Sequence, residues 1–300
     1  MTGIKQSMQN HLRRRLLVFG LAAGLLASSV QGEVLREATV SVKITLAQKS
    51  TSRPMSVAYI PKFQRYYIAD GGLAAMPSAF EPSLSKSLIH VYEGTGRYVQ
   101  SLRAGFDNRS IYYDASQNLL ETITYNVSSA AGFAPNTGIY SLSLTDNGDL
   151  SGTATEHYGF NPAFGDEATM PSFDSVHKLY YAKQKRSRIV RVVNPAFAQP
   201  ITEITLDLAS AGAAFDDVTD NFIAYTGVSE QELVVVDIEH KVALVFNLAG
   251  RYVGKSALPS TLKLHAQNYY SGLGYANGML FILNEGEGEF GTYYGLKVLR

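Results

Sequence analysis

The sequence contains no cysteine and no tryptophan among its 300 residues, and neither sign of charge dominates it. The absence of cysteine excludes a disulfide-stabilised scaffold, a lipidated cysteine anchor and a thiol nucleophile. Basic and acidic side chains number 26 each, which leaves too little positive charge for binding nucleic acid through its phosphates. A hydrophobic content of 46% excludes a chain that stays disordered for lack of apolar residues. We therefore expect a folded protein that is held together by packing and strand pairing.

The amino-terminal 32 residues have the pattern of a secretory signal peptide. Lys5 and Arg13–Arg15 form a positively charged start, and the apolar run Leu16–Ala27 follows them. That run is long enough for the hydrophobic part of a signal peptide and short for a membrane span, although a membrane-retained anchor is the alternative. Small residues at Ser28–Gly32 provide a cleavage zone, so we predict an exported protein, periplasmic or secreted, that begins near Glu33.

The rest of the chain is predicted to be one domain over residues 33–300, without a further membrane span. It carries 22 basic and 26 acidic residues and is therefore mildly acidic. The pair of arginines before Leu16 partly resembles a twin-arginine export signal, so the export route is left open.

Short β-branched and aromatic runs recur along this domain between clusters of Gly, Asn, Asp, Ser and Pro, which is typical of β-strands. Two segments also resemble each other. Ile89–Val99 and Ala243–Val253 share the pattern Val-aromatic-x-x-x-Gly-Arg-Tyr-Val. Two strands joined by a glycine-containing turn produce such a pattern, and its recurrence indicates a repeat architecture.

The pattern extends to five modules of four strands each, with a period of about 54 residues. The predicted first strands all begin with a small polar residue: Ser56, Ser110, Ser172, Asn221 and Ser271. Four of the five second strands are followed directly by an Asp or Asn: Asp70, Asn126, Asp237 and Asn284. The second strand of the third module is followed by Lys183 instead.

The first and last strands of the domain are predicted to complete one module together. The fifth module ends at Arg300 before a fourth strand, and Ala38–Leu46 is a strand without a module of its own. Pairing Ala38–Leu46 with Leu296–Leu299 closes the ring and leaves no open sheet edge. The sequence therefore predicts an all-β fold, a five-module β-propeller closed by its amino-terminal strand. A sixth, degenerate blade and a parallel β-helix are the alternatives.

One module resembles a known repeat. Leu233–Asn247, with the upstream Gly212–Asp217, is similar to a pattern with a Gly-x-Phe start, a strand that ends in Asp, a basic turn and a Val-x-Val-Phe strand. This pattern is similar to the NHL repeat. The resemblance implies the propeller superfamily that includes NHL proteins and gluconolactonase-like enzymes, and it concerns the fold rather than the function.

Polar side chains cluster in the loops that precede the first strands. Propeller ligands usually bind at the channel mouth where the innermost strands begin, so these loops are the predicted binding site. The residues expected to contact a ligand are Arg109, His265, Asp107, Asp220 and Asn268. The alternative is that the side chains are solvated, with Arg109 paired to Asp107. No cofactor is predicted. The alternative is Ca²⁺, which the repeated Asp and Asn residues after the second strands could bind through their oxygen atoms.

Two functions agree with these features. The chain has no His spacing typical of zinc sites, no Gly-x-Ser-x-Gly elbow and no phosphate loop. The preferred function is therefore non-catalytic binding of a partner protein or a polar small molecule at the channel-mouth loops. The alternative is a divalent-metal-dependent hydrolase or lactonase of gluconolactonase type, in which a few carboxylates and an Asn hold one ion.

Overall fold

A computed structural model describes residues 33–49, 53–71, 88–103, 108–124, 138–159, 161–166 and 169–300. Several parts of the sequence lie outside these ranges: the predicted signal peptide, the segment between Gly71 and Leu88, Asp107 and Asn126. Nearly all regular structure in the described residues is β-strand, with one short helix, α1 (Leu208–Ala211). No helix of the described segments is long and apolar enough to cross a membrane.

The strands form five antiparallel four-stranded units, blades 1 to 5, each numbered from its innermost strand outward. Blade 1 comprises β2 (Arg53–Ile60), β3 (Arg65–Gly71), β4 (Leu88–Glu93) and β5 (Tyr98–Arg103). Blade 2 comprises β6 (Asn108–Asp114), β7 (Leu119–Thr124), β8 (Gly138–Leu144) and β9 (Leu150–Tyr158). Blade 3 comprises β10 (Ser172–Asp174), β11 (Leu179–Lys183), β12 (Ile189–Val193) and β13 (Thr202–Thr205).

The last two blades are joined through the amino-terminal strand. Blade 4 comprises β14 (Ala224–Tyr225), β15 (Leu233–Asp237), β16 (Val242–Phe246) and β17 (Tyr252–Ala257). Blade 5 comprises β18 (Leu273–Ala276), β19 (Met279–Asn284), β20 (Thr292–Leu299) and β1 (Val34–Thr45). The five innermost strands contact one another in the order β2, β6, β10, β14, β18 and back to β2. This closed ring confirms the predicted β-propeller.

The predicted closure is also confirmed. Strand β1 pairs antiparallel with β20, from Val34 opposite Leu299 to Thr45 opposite Thr292. Its other edge forms a parallel bridge to β17, so blades 4 and 5 make one eight-stranded sheet. Strands β1 and β20 are both longer than the sequence predicted. Their pairing extends beyond the residues whose hydrophobic alternation indicated a strand.

The inner strand of blade 4 differs from the prediction. We expected it to begin at Asn221, but β14 covers only two residues. Val218 bridges Asp237 at the end of β15, whereas Phe222 forms a parallel bridge to Met170 of the preceding blade. The segment therefore leaves its own sheet at Asn221 and binds its neighbour before it returns.

Close packing at the ring requires one glycine. A Cβ atom on Gly274 of β18 would lie 2.6 Å from the backbone nitrogen of Val57 in β2. Real Cβ atoms do not approach backbone so closely, so only glycine lets blades 5 and 1 meet at this point. The buried core then continues outward between the blades as aliphatic and aromatic layers.

Candidate functional site

The loops that precede the inner strands are tied together by main-chain hydrogen bonds. The Met170 N–H donates to the Asn221 carbonyl at 2.8 Å, and the Asp220 N–H donates to the Tyr269 carbonyl at 2.9 Å. The Gly272 N–H donates to the Pro54 carbonyl, also at 2.9 Å. These bonds connect blades 3, 4, 5 and 1 at the end of the channel where the sequence placed the binding site.

The predicted site residues at this end have mostly interior positions. Arg109, Asp220 and Asn268 are buried. His265 is exposed, and Asp107 lies outside the described residues. Asn268 caps the short turn that follows His265: its Oδ1 accepts from the His265 N–H at 2.8 Å and its Nδ2 donates to the Leu283 carbonyl at 3.2 Å. The structure thus brings His265 and Asn268 together, and a ligand role for any of the five stays a prediction.

A buried lysine lies next to Asp220. Lys183 ends β11 at the position where four other modules have Asp or Asn, and its side chain is fully buried. Its ammonium group donates to the Asp220 carbonyl at 2.9 Å. Burial lowers the pKa of Lys183 to about 8, and the nearby Asp220 charge opposes that shift only in part.

Two of the small polar residues at the inner strands connect neighbouring blades. The Ser56 hydroxyl accepts a hydrogen bond from the Ile111 N–H at 2.6 Å, and the Ser172 hydroxyl accepts from the Tyr225 N–H at 2.8 Å. Inner strands present one unpaired edge to the channel. Ser56 and Ser172 thus satisfy N–H groups on that edge, which is a structural role.

The channel itself contains a cavity of about 260 Å³ between the five inner strands. We call it the channel cavity. The side chains and main chain that line it carry no charged group. Its aromatic walls come from Tyr59, Tyr112, Tyr113, Phe173, Phe222, Tyr225 and Tyr275, and its other polar side chains are Ser56, Ser110, Ser172 and Asn277.

The aromatic walls are held in place from behind. The Tyr112 and Phe173 ring centroids are 4.6 Å apart, and the Tyr225 ring stacks on Tyr181 at 4.8 Å with an interplanar angle of 8°. Burial alone raises the pKa of Tyr275 to about 12, so its hydroxyl stays protonated at neutral pH. The cavity therefore offers fixed, uncharged aromatic surfaces rather than mobile or ionised ones.

One hydroxyl of the channel cavity has no partner. Ser110 is buried, and its Oγ has no hydrogen-bond partner within the described part of the protein. The reason lies in the next blade. In blade 2, the N–H that satisfies Ser56 belongs to Ile111, which lies three residues before the turn-capping Asp114. The equivalent residue of blade 3, three positions before the turn-capping Asp174, is Pro171. Proline has no N–H, so the bond that Ser56 makes cannot form at Ser110.

The described residues do not assemble a metal site. Within them, no three His, Asp or Glu side chains come together as ligands. Asp237, one of the repeated Asp and Asn positions, binds its own turn: Oδ1 accepts from the His240 N–H and Oδ2 lies 2.8 Å from Nδ1 of that imidazole. Ca²⁺ binding therefore stays an expectation from the sequence alone.

Sequence reasoning missed the aromatic wall. A signal was nevertheless present in the sequence, because Tyr59 and Tyr113 each lie three positions after the serine at the start of a predicted first strand, Ser56 and Ser110. The unpartnered Ser110 could not be recognised without knowing which residue of the next blade stands opposite it.

Comparisons with known proteins give the fold. No protein-family model matches the chain, and no curated protein matches it. Among solved structures, Myxococcus xanthus glutaminyl cyclase is similar at 10% identity with a TM-score of 0.51, over 89% of this chain and 97% of that one.

Two further structures are more distant. A periplasmic gluconolactonase from Pseudomonas aeruginosa matches at 10% identity and a TM-score of 0.38, over 77% of this chain and 65% of that one. A chain of a nidogen–laminin complex matches at 15% identity and a TM-score of 0.36, over 68% of this chain and 63% of that one. This chain thus spans just under two thirds of the length of these two. At such identities the likeness concerns the fold alone, and that fold is the β-propeller.

Proposed function

We propose that this protein is an exported binding protein that holds a small, uncharged, planar molecule with one polar group in the channel cavity. The observation that carries the proposal is Ser110, which lines the aromatic-walled channel cavity and whose buried hydroxyl has no partner among the described residues. A buried hydroxyl without a hydrogen bond costs about 1–3 kcal/mol, so a ligand that satisfies it gains that energy.

The cavity limits the ligand in size and charge. A volume of about 260 Å³ lies just below the usual range for small-molecule sites and suits a ligand of one or two rings. An ion would be desolvated there without a counter-charge, which disfavours charged ligands. A sugar would need many hydrogen bonds, and the lining offers few polar side chains.

The proposal keeps the binding function expected from the sequence and moves the ligand from the loops into the channel. The gluconolactonase-type hydrolase stays the alternative expected from the sequence; within the described residues no three His, Asp or Glu side chains come together to support it. Export rests on the amino-terminal pattern of the sequence.

Phenol is the probe that tests the proposal, since it combines one ring with one hydroxyl. We expect saturable binding in the millimolar range, measured by NMR titration or calorimetry, because a ligand of so few atoms gains little beyond about 4 kcal/mol. Ser110→Ala should weaken phenol binding about fivefold, the value of one net hydrogen bond.

Ser56→Ala is the matched control, because Ser56 also lines the cavity but its hydroxyl already accepts from Ile111. It should lower the stability and leave phenol affinity nearly unchanged. His265→Ala should have no effect on phenol. Equal affinities for the Ser110 and Ser56 variants, or loss of binding in the His265 variant, would contradict the proposal.

A further inference from the structure

A second cavity lies outside the channel, between blades 2 and 3. It has a volume of about 620 Å³, within the usual range for small-ligand sites. We call it the blade 2–3 cleft. Strands β7 and β9 of blade 2 form one side, and the turns and inner strands of blade 3 form the other; its ionisable and aromatic lining includes Asp114, Glu121, His157, Phe173, Lys178 and Tyr180.

The two carboxylates of the blade 2–3 cleft have different partners. The Lys178 ammonium lies 2.6 Å from Oδ1 of Asp114, and Gln117 and Ser116 also donate to that carboxylate. These hydrogen bonds outweigh the effect of burial and hold the pKa of Asp114 below its ordinary value. A permanent cation therefore balances the charge of Asp114.

Among the described residues, Glu121 is paired with no Lys or Arg. Its side chain is 5% exposed, and its basic partner is the His157 imidazole, whose Nδ1 lies 2.8 Å from Oε1 and which is charged only when protonated. The Tyr112 hydroxyl also hydrogen-bonds to Glu121 and lies 2.6 Å from the Tyr180 hydroxyl. Burial is the main cause that raises the pKa of Glu121. Its negative charge thus lacks a fixed counter-charge at the base of an open cleft.

The cleft walls suit an organic cation. Phe173, Tyr158 and Tyr180 supply aromatic surface around Glu121. The protein already shows how an ammonium group binds there, because the Lys178 Nζ lies 5.5 Å from the Phe173 ring centroid while it pairs with Asp114. An ammonium group that contacts both a ring face and a buried carboxylate is stabilised by both.

We propose that the blade 2–3 cleft is a binding site for a primary organic ammonium ion, with Glu121 as its counter-ion and the aromatic walls around its body. The site lies outside the channel cavity, with which it shares Phe173 as a lining residue, and it does not depend on the function proposed for that cavity. A ligand ammonium takes the position opposite Glu121 that the His157 imidazole now occupies.

The proposal implies a direction for the pH dependence. Protonation of Glu121 removes its negative charge, and protonation of His157 supplies an internal cation that competes with the ligand. The other ionisable groups around Glu121 are Tyr112, Asp114, Tyr158, Lys178 and Tyr180. Tyr112 and Tyr180 keep their protons at mild pH because burial raises the pKa of each, and Asp114 stays ionised because its pKa is lowered. Acidification should therefore weaken ammonium binding.

The test uses 2-phenylethylammonium chloride as the probe and 2-phenylethanol as its neutral analogue, in calorimetric or NMR titrations of the mature protein. At about pH 8 the ammonium should bind at least about tenfold more tightly than the alcohol, and acidification to about pH 5 should weaken it by a similar factor. Glu121→Gln keeps the size and should lose about tenfold in affinity.

Glu156→Gln is the matched control, since it removes one negative charge at the exposed position next to His157. It should leave the affinity within about twofold, as expected for a screened surface charge. Ser110→Ala should also leave ammonium binding unchanged, which separates this site from the channel. Equal binding of the ammonium and the alcohol, an unaltered affinity in Glu121→Gln, or no saturation by about 10 mM would overturn the proposal. The first and last readouts need no variant, so they stand even where Glu121→Gln does not fold.

Discussion

Lys183 provides the sharpest prediction about stability. Its ammonium group is fully buried and donates a hydrogen bond to the Asp220 carbonyl. Because burial disfavours the charged form, the pKa falls from 10.5 to about 8 in the folded protein. Below about pH 8, where the folded and the unfolded lysine both hold the proton, this difference in pKa costs about 3 kcal/mol of stability.

The sign of the pH dependence follows from proton binding. Between about pH 8 and pH 10.5 the unfolded chain keeps the Lys183 proton and the folded protein releases it, so stability rises with pH in this window. From pH 7 to pH 9 the expected gain is about 1 kcal/mol. Buried tyrosines such as Tyr92 and Tyr181, whose pKa burial raises to about 12, act in the opposite direction only near pH 10 and above.

Lys183→Met isolates this effect, because methionine fills a similar volume without a charge. The variant leaves the Asp220 carbonyl without its donor, which offsets part of the gain, so at neutral pH it should be as stable as the wild type or up to about 2 kcal/mol more stable. Urea denaturation at pH 7 and pH 9 measures the difference. A variant that shows the same rise with pH as the wild type, or that is destabilised by more than about 2 kcal/mol at neutral pH, refutes a buried, strained ammonium group.

Three further predictions concern the ring. Deleting residues 33–48 removes β1 and exposes the edges of β17 and β20, so the whole ring should melt earlier in one transition; an unchanged melting temperature would exclude closure by β1. Gly274→Ala places a methyl group 2.6 Å from the Val57 nitrogen and should cost about 1–3 kcal/mol in a denaturation series; a neutral effect would mean that blades 5 and 1 can separate. Pro171→Ala supplies an N–H opposite Ser110, so phenol affinity should fall as it does in Ser110→Ala; unaltered affinity would show that Pro171 is not the cause of the unpartnered hydroxyl.

The fold could be predicted because its signals are local and repeated. Strand alternation and the shared turn pattern of Ile89–Val99 and Ala243–Val253 identify hairpins without knowledge of long-range contacts. The closure was predictable from a count of strands, since a missing fourth strand and an unassigned first strand complete one blade. The inner strand of blade 4 was not, because its path depends on a bridge to Met170 in another blade.

The candidate sites depend on contacts between modules, which local patterns do not encode. Arg109, Asp220 and Asn268 are polar residues in predicted loops, yet the structure buries all three, and a main-chain bond joins the loops of Asp220 and Asn268. The unpartnered Ser110 results from a proline about 60 residues later in the chain. Glu121 belongs to a strand whose sequence has the ordinary alternation of polar and apolar residues. It lies at the base of a cleft because blade 3 packs beside it.

A crystal structure of the mature protein with phenol tests the central claim most directly. We expect the ring between the aromatic walls of the channel cavity, with its hydroxyl within about 3 Å of the Ser110 Oγ. In a matched crystal of Ser110→Ala the occupancy should fall at the same phenol concentration. A channel without phenol at saturating concentration, or phenol bound instead at the loops around His265, would contradict a channel site for the ligand.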